Sequence, residues 1–387
     1  MTQTVTSGVA ERMPTKRVLR INYLLPRPNL SGGTKSSKLI AEAMVRRGHE
    51  VRLIFPLKLK PLPSLLHFRQ WIKSIWRRSK LLGRRTEHHL MQSTAQLIPV
   101  QHYRVEAENV PDADVTIASW WETMESMASW PECKGVKIHY IRGYEVYHHQ
   151  RRRVEAVYRL NVVKVVNGRW MRRVMLEEYG KDAVVVPNGV DWSQFGSGVR
   201  SKGAVPTVGL VYAPTRLKGA HTAFEAMRIV QRTLPQARVV SFGATPLQRE
   251  NRIPSNFDYH PQPAQNQIAE IYRRADCWIV PSISEGLPMP GLEAAACRCP
   301  IVATRCGGTE DYVQDDINGY LVPVEDPQQM ADRILDVLQA GDERWRQMSE
   351  ASYRVAQSFN WDRSAELLED VLLQAVARRG DDGLIRG

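Results

Sequence analysis

Short apolar runs and longer amphipathic stretches alternate through most of the chain. Val18–Leu25 is apolar enough for a first strand and stops at Pro26. Residues 35–47 follow with Leu39, Ile40, Ala43 and Met44 on one side, the spacing of an amphipathic helix, and Gly48 closes it. Val51–Phe55 returns to strand. Between the first strand and the helix, Ser31-Gly32-Gly33-Thr34 is expected as a glycine loop. Strand, loop, helix, strand is a βαβ unit and predicts a parallel sheet.

The rhythm breaks over residues 56–102 and resumes with strands at Val115–Ser119 and Val136–Ile141. Trp120, Trp121, Met124, Met127 and Trp130 lie between these strands and suit a packing surface or a cleft wall. A helix around Met171–Tyr179 and a short strand at Val184–Val186 precede Pro187-Asn188-Gly189. Residues 193–206 are rich in Gly, Ser and charge, lack an apolar period, and are expected as a linker. The same pattern then restarts, with strands at Val208–Tyr212, Val239–Phe242, Cys277–Val280, Ile301–Thr304 and Tyr320–Val322. Helices are expected at His221–Thr233, Ala264–Arg274, Pro290–Cys299, Gln328–Ala340, Trp345–Ser358 and Asp362–Ala377. The expectation is an α/β protein with two Rossmann-like domains whose parallel sheets face each other across a cleft. The first domain spans 1–192 with a basic insertion near 56–102, the second spans 207–361, and 362–387 form a final helix and tail.

Composition changes this picture little. The 387 residues, 43% hydrophobic, suffice for two cores. No run of about 18 apolar residues exists, so no transmembrane helix is expected. The polar start lacks an apolar export segment, which points to the cytoplasm. Cys133, Cys277, Cys297, Cys299 and Cys306 form no metal-ligand spacing and are expected as reduced, mostly buried thiols. His148-His149 is not a metal pair, because adjacent residues share no face.

Charge matters more. The net charge of +12 suggests an anionic partner. Residues 58–90 hold nine Lys or Arg against one acid, Glu87, with Leu65, Phe68, Trp71, Ile72, Ile75 and Trp76 at helical spacing among them. Such a segment suits an anionic membrane surface or a lipid-diphosphate-linked acceptor, and equally a cover over its own domain.

The strongest chemical signal is SEGLPMPGLEAAACRCP, from Ser284 to Pro300. Glu285 follows a strand, and Glu293, eight residues on, lies near a helix start. Helix starts offer unpaired amides to phosphate oxygens. Pro288 and Pro290 cannot donate, so Leu287, Met289, Gly291 and Leu292 are the candidate amides. Arg216 and Lys218 occupy the loop after the domain's first strand, on the same rim of a parallel sheet, and suit a departing diphosphate. Gly307-Gly308-Thr309-Glu310 repeats the strand-to-helix pattern there. In the first domain, Gly32 and Gly33 permit close approach of a ligand, and Arg142, Tyr144 and Glu145 follow a strand end. GxxxxGK[ST] and GxGxxG are absent, which disfavours a P-loop enzyme and NAD or FAD.

At these residues the chain resembles the retaining glycosyltransferases of family 4, which have the GT-B fold. The resemblance covers roughly residues 18–377. It is strongest where EGLPMPGLEAAACRCPIVATRCGGTEDYV, from Glu285, follows the family's E-x7-E element and its downstream Gly-Gly-x-Glu. Asn318-Gly319-Tyr320-Leu321-Val322, Ser31-Gly32-Gly33-Thr34 and Pro187-Asn188-Gly189-Val190-Asp191 fit as well. The resemblance implies a sugar moved from a nucleoside-diphosphate donor (UDP, GDP or dTDP type) to a hydroxyl of a glycan, lipid-linked or small-molecule acceptor. No cofactor or metal is implied, since Arg216 and Lys218 supply the charge. Lys218 would bind the donor diphosphate, Glu293 the ribose hydroxyls, and Glu285 with the amides after it the sugar. Gly33 would let the backbone approach the diphosphate, and Gly32, Thr34, Trp120, Trp121, Arg142, Tyr144 and Glu145 are candidates for the acceptor side or cleft wall. The final helix would cross back to the first domain.

Two departures stand out. The family's early Gly-Arg is replaced by Tyr212-Ala213, with Arg216 displaced toward Lys218. The His many members carry near the donor sugar is absent at Ser119-Trp120-Trp121, which opens the way to an unusual donor such as a deoxysugar nucleotide. A sugar-nucleotide epimerase of similar fold, a glycogen-type phosphorylase, and a basic membrane- or nucleic-acid-binding module are the competing readings. The short chain disfavours the phosphorylase, and the confinement of the basic cluster disfavours the binding module.

Overall fold

The computed structural model describes residues 17–58, 88–147, 150–248 and 252–384. The first domain runs β1 (Arg20–Leu24), α1 (Gly32–Arg46), β2 (Glu50–Pro56), β3 (Gln96–Val100), β4 (Val115–Ala118), α2 (Trp121–Met127), β5 (Val136–Ile141), α3 (Arg151–Arg159), β6 (Val163–Val166), α4 (Arg169–Tyr179) and β7 (Val184–Val185). Its seven described strands are all parallel, in the order β3-β2-β1-β4-β5-β6-β7. The central strands are almost wholly buried, because helices cover both faces of a parallel sheet.

A short α5 (Trp192–Phe195) leads to the second domain. That domain runs β8 (Thr207–Val211), α6 (Ala220–Thr233), β9 (Arg238–Gly243), β10 (Phe257–Pro261), α7 (Gln265–Arg273), β11 (Cys277–Val280), α8 (Met289–Ala296), β12 (Ile301–Thr304), β13 (Gly319–Val322), α9 (Pro327–Gln339) and α10 (Asp342–Gln357). Its six described strands are again parallel, in the order β10-β9-β8-β11-β12-β13. The two facing α/β units expected from the alternation are both present.

The structure corrects the sequence in several places. Gly32 and Gly33 open α1 instead of forming a loop. Ser31 caps the helix, its side chain accepting from the Thr34 amide, and this start outweighs the poor helix propensity of two glycines. The break at 56–102 is narrower than expected, because Gln96–Val100 pairs with β2 as an edge strand. Pro99 hid it, yet proline is tolerated on an edge. Helix α3 was also missed, although Val154, Val157 and Tyr158 form a buried stripe beneath its arginines. Strand β10, with the sequence FDYHP, carries too little apolar character to announce itself. Most of the basic stretch 58–90, and His148-His149, lie outside the described residues.

Residues 196–206 are fastened to the second domain. Arg200 donates to the carbonyls of Arg273, Ala275 and Cys297 at 2.9, 2.5 and 3.1 Å, and Asp276 accepts from the Gly203 amide at 2.7 Å. Helix α11 (Trp361–Leu384) packs on α1, burying Trp361, Ala365, Leu368 and Leu372 in the first domain's core. Buried Glu369 fixes it by accepting from Arg47 Nε at 2.8 Å and pairing with His49 Nε2 at 2.8 Å. Of the five free cysteines, four are buried and Cys133 is exposed. No described helix is long and apolar enough to cross a membrane.

Candidate active site

A cavity of about 1190 Å³ opens between the carboxyl ends of the two sheets. On the second domain's side it is walled by Leu217, Lys218, Ser284, Glu285 and Gly286. Glu285 is fixed at both ends. Its amide donates to the Cys306 carbonyl at 2.9 Å, and its own carbonyl accepts from the Gly308 amide at 3.1 Å. Its Oε1 accepts from Ser282 Oγ at 2.9 Å and from Lys218 Nζ at 2.5 Å. Lys218 ends the 3-10 turn after β8, which Gly219 closes in the left-handed region. Burial works against the ammonium charge, but the adjacent Glu285 carboxylate outweighs it and raises the Lys218 pKa. The cavity therefore carries a fixed cation, half exposed, beside a fixed carboxylate.

Arg216 does not join them. Residues two apart in a 3-10 turn point to different sides. Arg216 instead pairs with Glu325 at 2.9 Å, highly exposed and away from the cavity wall.

Glu293 lies deeper, in α8. Its Oε1 accepts from Lys35 Nζ, on α1 of the other domain, at 2.7 Å, and its Oε2 accepts from Tyr272 Oη at 2.8 Å. Leu287, Met289, Gly291 and Leu292 are likewise buried behind Gly286 and do not line the cavity. The Leu287 carbonyl accepts from Asn188 Nδ2 at 3.1 Å, and Met289 enters the first domain's core. In the next loop, Gly307 packs against Trp170 of the first domain and Gly308 against Gly286. Asp311 just beyond that loop accepts from the Arg169 amide at 2.7 Å.

The two domains come into backbone contact at Gly286, and Gly308 of the same domain packs against it. A β-carbon on Gly286 would lie 2.1 Å from the Arg142 carbonyl oxygen, and one on Gly308 would lie 1.9 Å from the Gly286 carbonyl oxygen. Only glycine allows backbones to approach so far.

The first domain's wall includes Gly33 and Thr34 from the first turn of α1, while Gly32 sits one residue behind them. That turn contains no acid, so its free amides keep their positive field. Trp120 and Trp121 line the far side. The Trp121 amide donates to Glu145 Oε2 at 3.0 Å, and burial pushes the Glu145 carboxyl well above the usual range. Tyr144 stacks on Tyr158 and bonds to Tyr179 Oη at 3.1 Å and to Glu178. Arg142 reaches the cavity from the end of β5, held by Tyr23, Ser36 and Asn188. Sequence reasoning missed Lys35, Tyr272, Ser282 and Asn188. Asn188 had a local signal in its Pro-Asn-Gly setting, whereas the other three gain their roles only through contacts across the fold. Among the described residues, no group of three His, Cys, Asp or Glu side chains is placed to hold a metal ion.

Residues 202–355 match the family described as Glycosyl transferases group 1. A D-inositol 3-phosphate glycosyltransferase of Xylanimonas cellulosilytica is 38% identical over 120 residues, 31% of this chain. The chain spans only 28% of that relative's length. Sucrose-phosphate synthase from Thermosynechococcus elongatus superposes with a TM-score of 0.69 at 16% identity, over 94% of this chain and 100% of the other. Anabaena HepE in complex with UDP-glucose gives 0.69 at 13% identity, over 92% of this chain and 100% of the other. The chain has the GT-B fold, and residues 202–355 of its second domain match the glycosyl transferases group 1 family.

Proposed function

We propose that the chain is a nucleotide-sugar-dependent glycosyltransferase acting with retention. Residues 1–192 bind the acceptor, 207–361 bind the donor, and 362–387 return to brace the first domain. The observation that carries this is the Lys218–Glu285 pair on the cavity wall, opposite the first turn of α1. Lys218 stabilises the departing nucleoside diphosphate by fixed charge, and Glu285 orients the sugar through its hydroxyls. The bond from the anomeric carbon to the phosphate oxygen breaks as the bond to the acceptor oxygen forms. The acceptor proton passes to an oxygen of the leaving phosphate. Glu293 holds the ribose once Lys35 yields it. A relative named for glycosyl transfer to D-inositol 3-phosphate and a fold neighbour holding UDP-glucose support this donor and acceptor chemistry.

The same proposal gives residues 58–90 contact with an anionic membrane or a lipid-linked acceptor, on the cytoplasmic side, and assigns the chain no nucleic-acid partner. Reversing Arg77, Arg78, Arg84 and Arg85 should abolish binding to anionic vesicles; equal binding would refute that contact. For the activity itself, the full chain is screened with UDP-, GDP- and dTDP-sugars for nucleoside diphosphate release. Release that requires an acceptor and yields a glycosylated product is expected. An isomerised sugar nucleotide formed without acceptor would replace the transferase with an epimerase.

A further inference from the structure

Arg142 sits where the two domains meet, and among the described residues no acid pairs with its charge. Nε and Nη2 donate to Tyr23 Oη at 3.3 and 2.9 Å. Nη1 donates to Ser36 Oγ at 3.0 Å and to Asn188 Oδ1 at 2.9 Å. The guanidinium lies 4.1 Å over the Tyr140 ring. All these partners are neutral, and among the described residues no carboxylate pairs with it. A guanidinium carries five N–H donors, and these contacts leave one on Nη2 unused.

A charge taken out of water is ordinarily paired. Here neutral groups fix the guanidinium plane and leave its charge open to a ligand. The surroundings reinforce this. Arg142 lines the same cavity as Gly33 and Thr34. The other cations around the cavity include Arg153 and Lys218, but Glu125 and Glu285 offset these two. Glu145, the nearest acid in sequence, is held toward its neutral form by burial.

We infer that Arg142 binds an oxyanion, a carboxylate or a phosphate ester, carried by the transferred sugar or by the acceptor. A planar, pre-fixed guanidinium matches such a group better than a lysine would. This rests on the transferase proposal for where the sugar and acceptor lie.

The test titrates the full chain with two matched pairs, each without a second substrate. One pair is UDP-glucose against UDP-glucuronate, with GDP and dTDP counterparts, and the other is methyl glucoside against glucose 6-phosphate. The charged member of one pair should bind about tenfold or more tightly than its neutral mate, and that pair identifies the source of the oxyanion. Arg142→Met should erase the preference, the charged member losing about tenfold or more affinity relative to its neutral mate. Arg142→Gln, which keeps a planar amide for Tyr23 and Ser36, should do the same and decides the matter if the Met variant does not fold. No preference in either pair, or a preference that survives these variants, overturns the inference. If no nucleotide sugar binds, the transferase proposal falls, while the glucoside pair still decides the role of Arg142.

Discussion

Lys35 Nζ lies 2.7 Å from Glu293 Oε1, joining α1 of the first domain to α8 of the second across 258 residues of sequence. Both side chains are largely buried, and the second carboxylate oxygen is taken by Tyr272. The pair therefore ties the domains together and occupies the acid proposed to hold the ribose. Losing one member of a buried pair costs roughly 3–5 kcal/mol. Lys35→Met should thus lower stability by about that much in urea unfolding. It should also tighten nucleoside diphosphate binding, because a competitor for Glu293 is gone. A Kd unchanged by Lys35→Met and by Glu293→Gln alike would remove Glu293 from the ribose site.

Lys218 is the fixed cation facing Glu285. If it stabilises the leaving diphosphate, its contribution belongs mostly to the transition state. Lys218→Ala should lower kcat by about a hundredfold or more, with a smaller change in donor KM. Steady-state rates with the donor found in the screen measure this. A kcat near that of the parent chain would refute the role.

Gly286 lets the backbones of the two domains approach closely at Arg142. Gly286→Ala would place a methyl group 2.1 Å from the Arg142 carbonyl and 2.8 Å from Asn167 Oδ1. The domains must part, at a cost of about 1–3 kcal/mol. Gly32→Ala meets nothing within 4 Å and serves as the contrast, neutral or slightly stabilising. Thermal melts of the two variants should therefore move in different directions from the parent, or only Gly286→Ala should move. Equal destabilisation would contradict the close approach.

His139 predicts a pH response in the first domain's core. Burial, and then the neighbouring Lys164 charge, lower its pKa to about 3. Among the described residues, neither ring nitrogen has a hydrogen-bond partner. The unfolded chain takes up a proton near pH 6.5, while the folded chain stays neutral there. Stability from this group is full above pH 6.5 and is lost as the pH falls toward 3. Between pH 7.5 and 5.5 the loss is about 1.4 kcal/mol. Urea unfolding of the parent and of His139→Phe at those two pH values should differ by that amount; identical pH dependence would show that His139 is charged or exposed.

What the sequence determined by itself was periodic or local. Alternating strands and helices specify parallel sheets, and a parallel sheet sends every strand-to-helix loop to the same edge. Lys218, Glu285 and the Gly32-Gly33 segment could therefore be placed around one cleft before any contact was known. Tertiary structure decided the rest. Whether Arg216 shares a face with Lys218 depends on a single turn of 3-10 geometry. That Glu293 answers to Lys35, and that Gly286 meets the Arg142 carbonyl, depends on how two separately folded sheets dock. Strands β3 and β10 were hidden because edge strands are held by their neighbours and need little apolar pattern of their own. Side-chain periodicity reports which face of an element is buried, but it carries no information about which distant element does the burying.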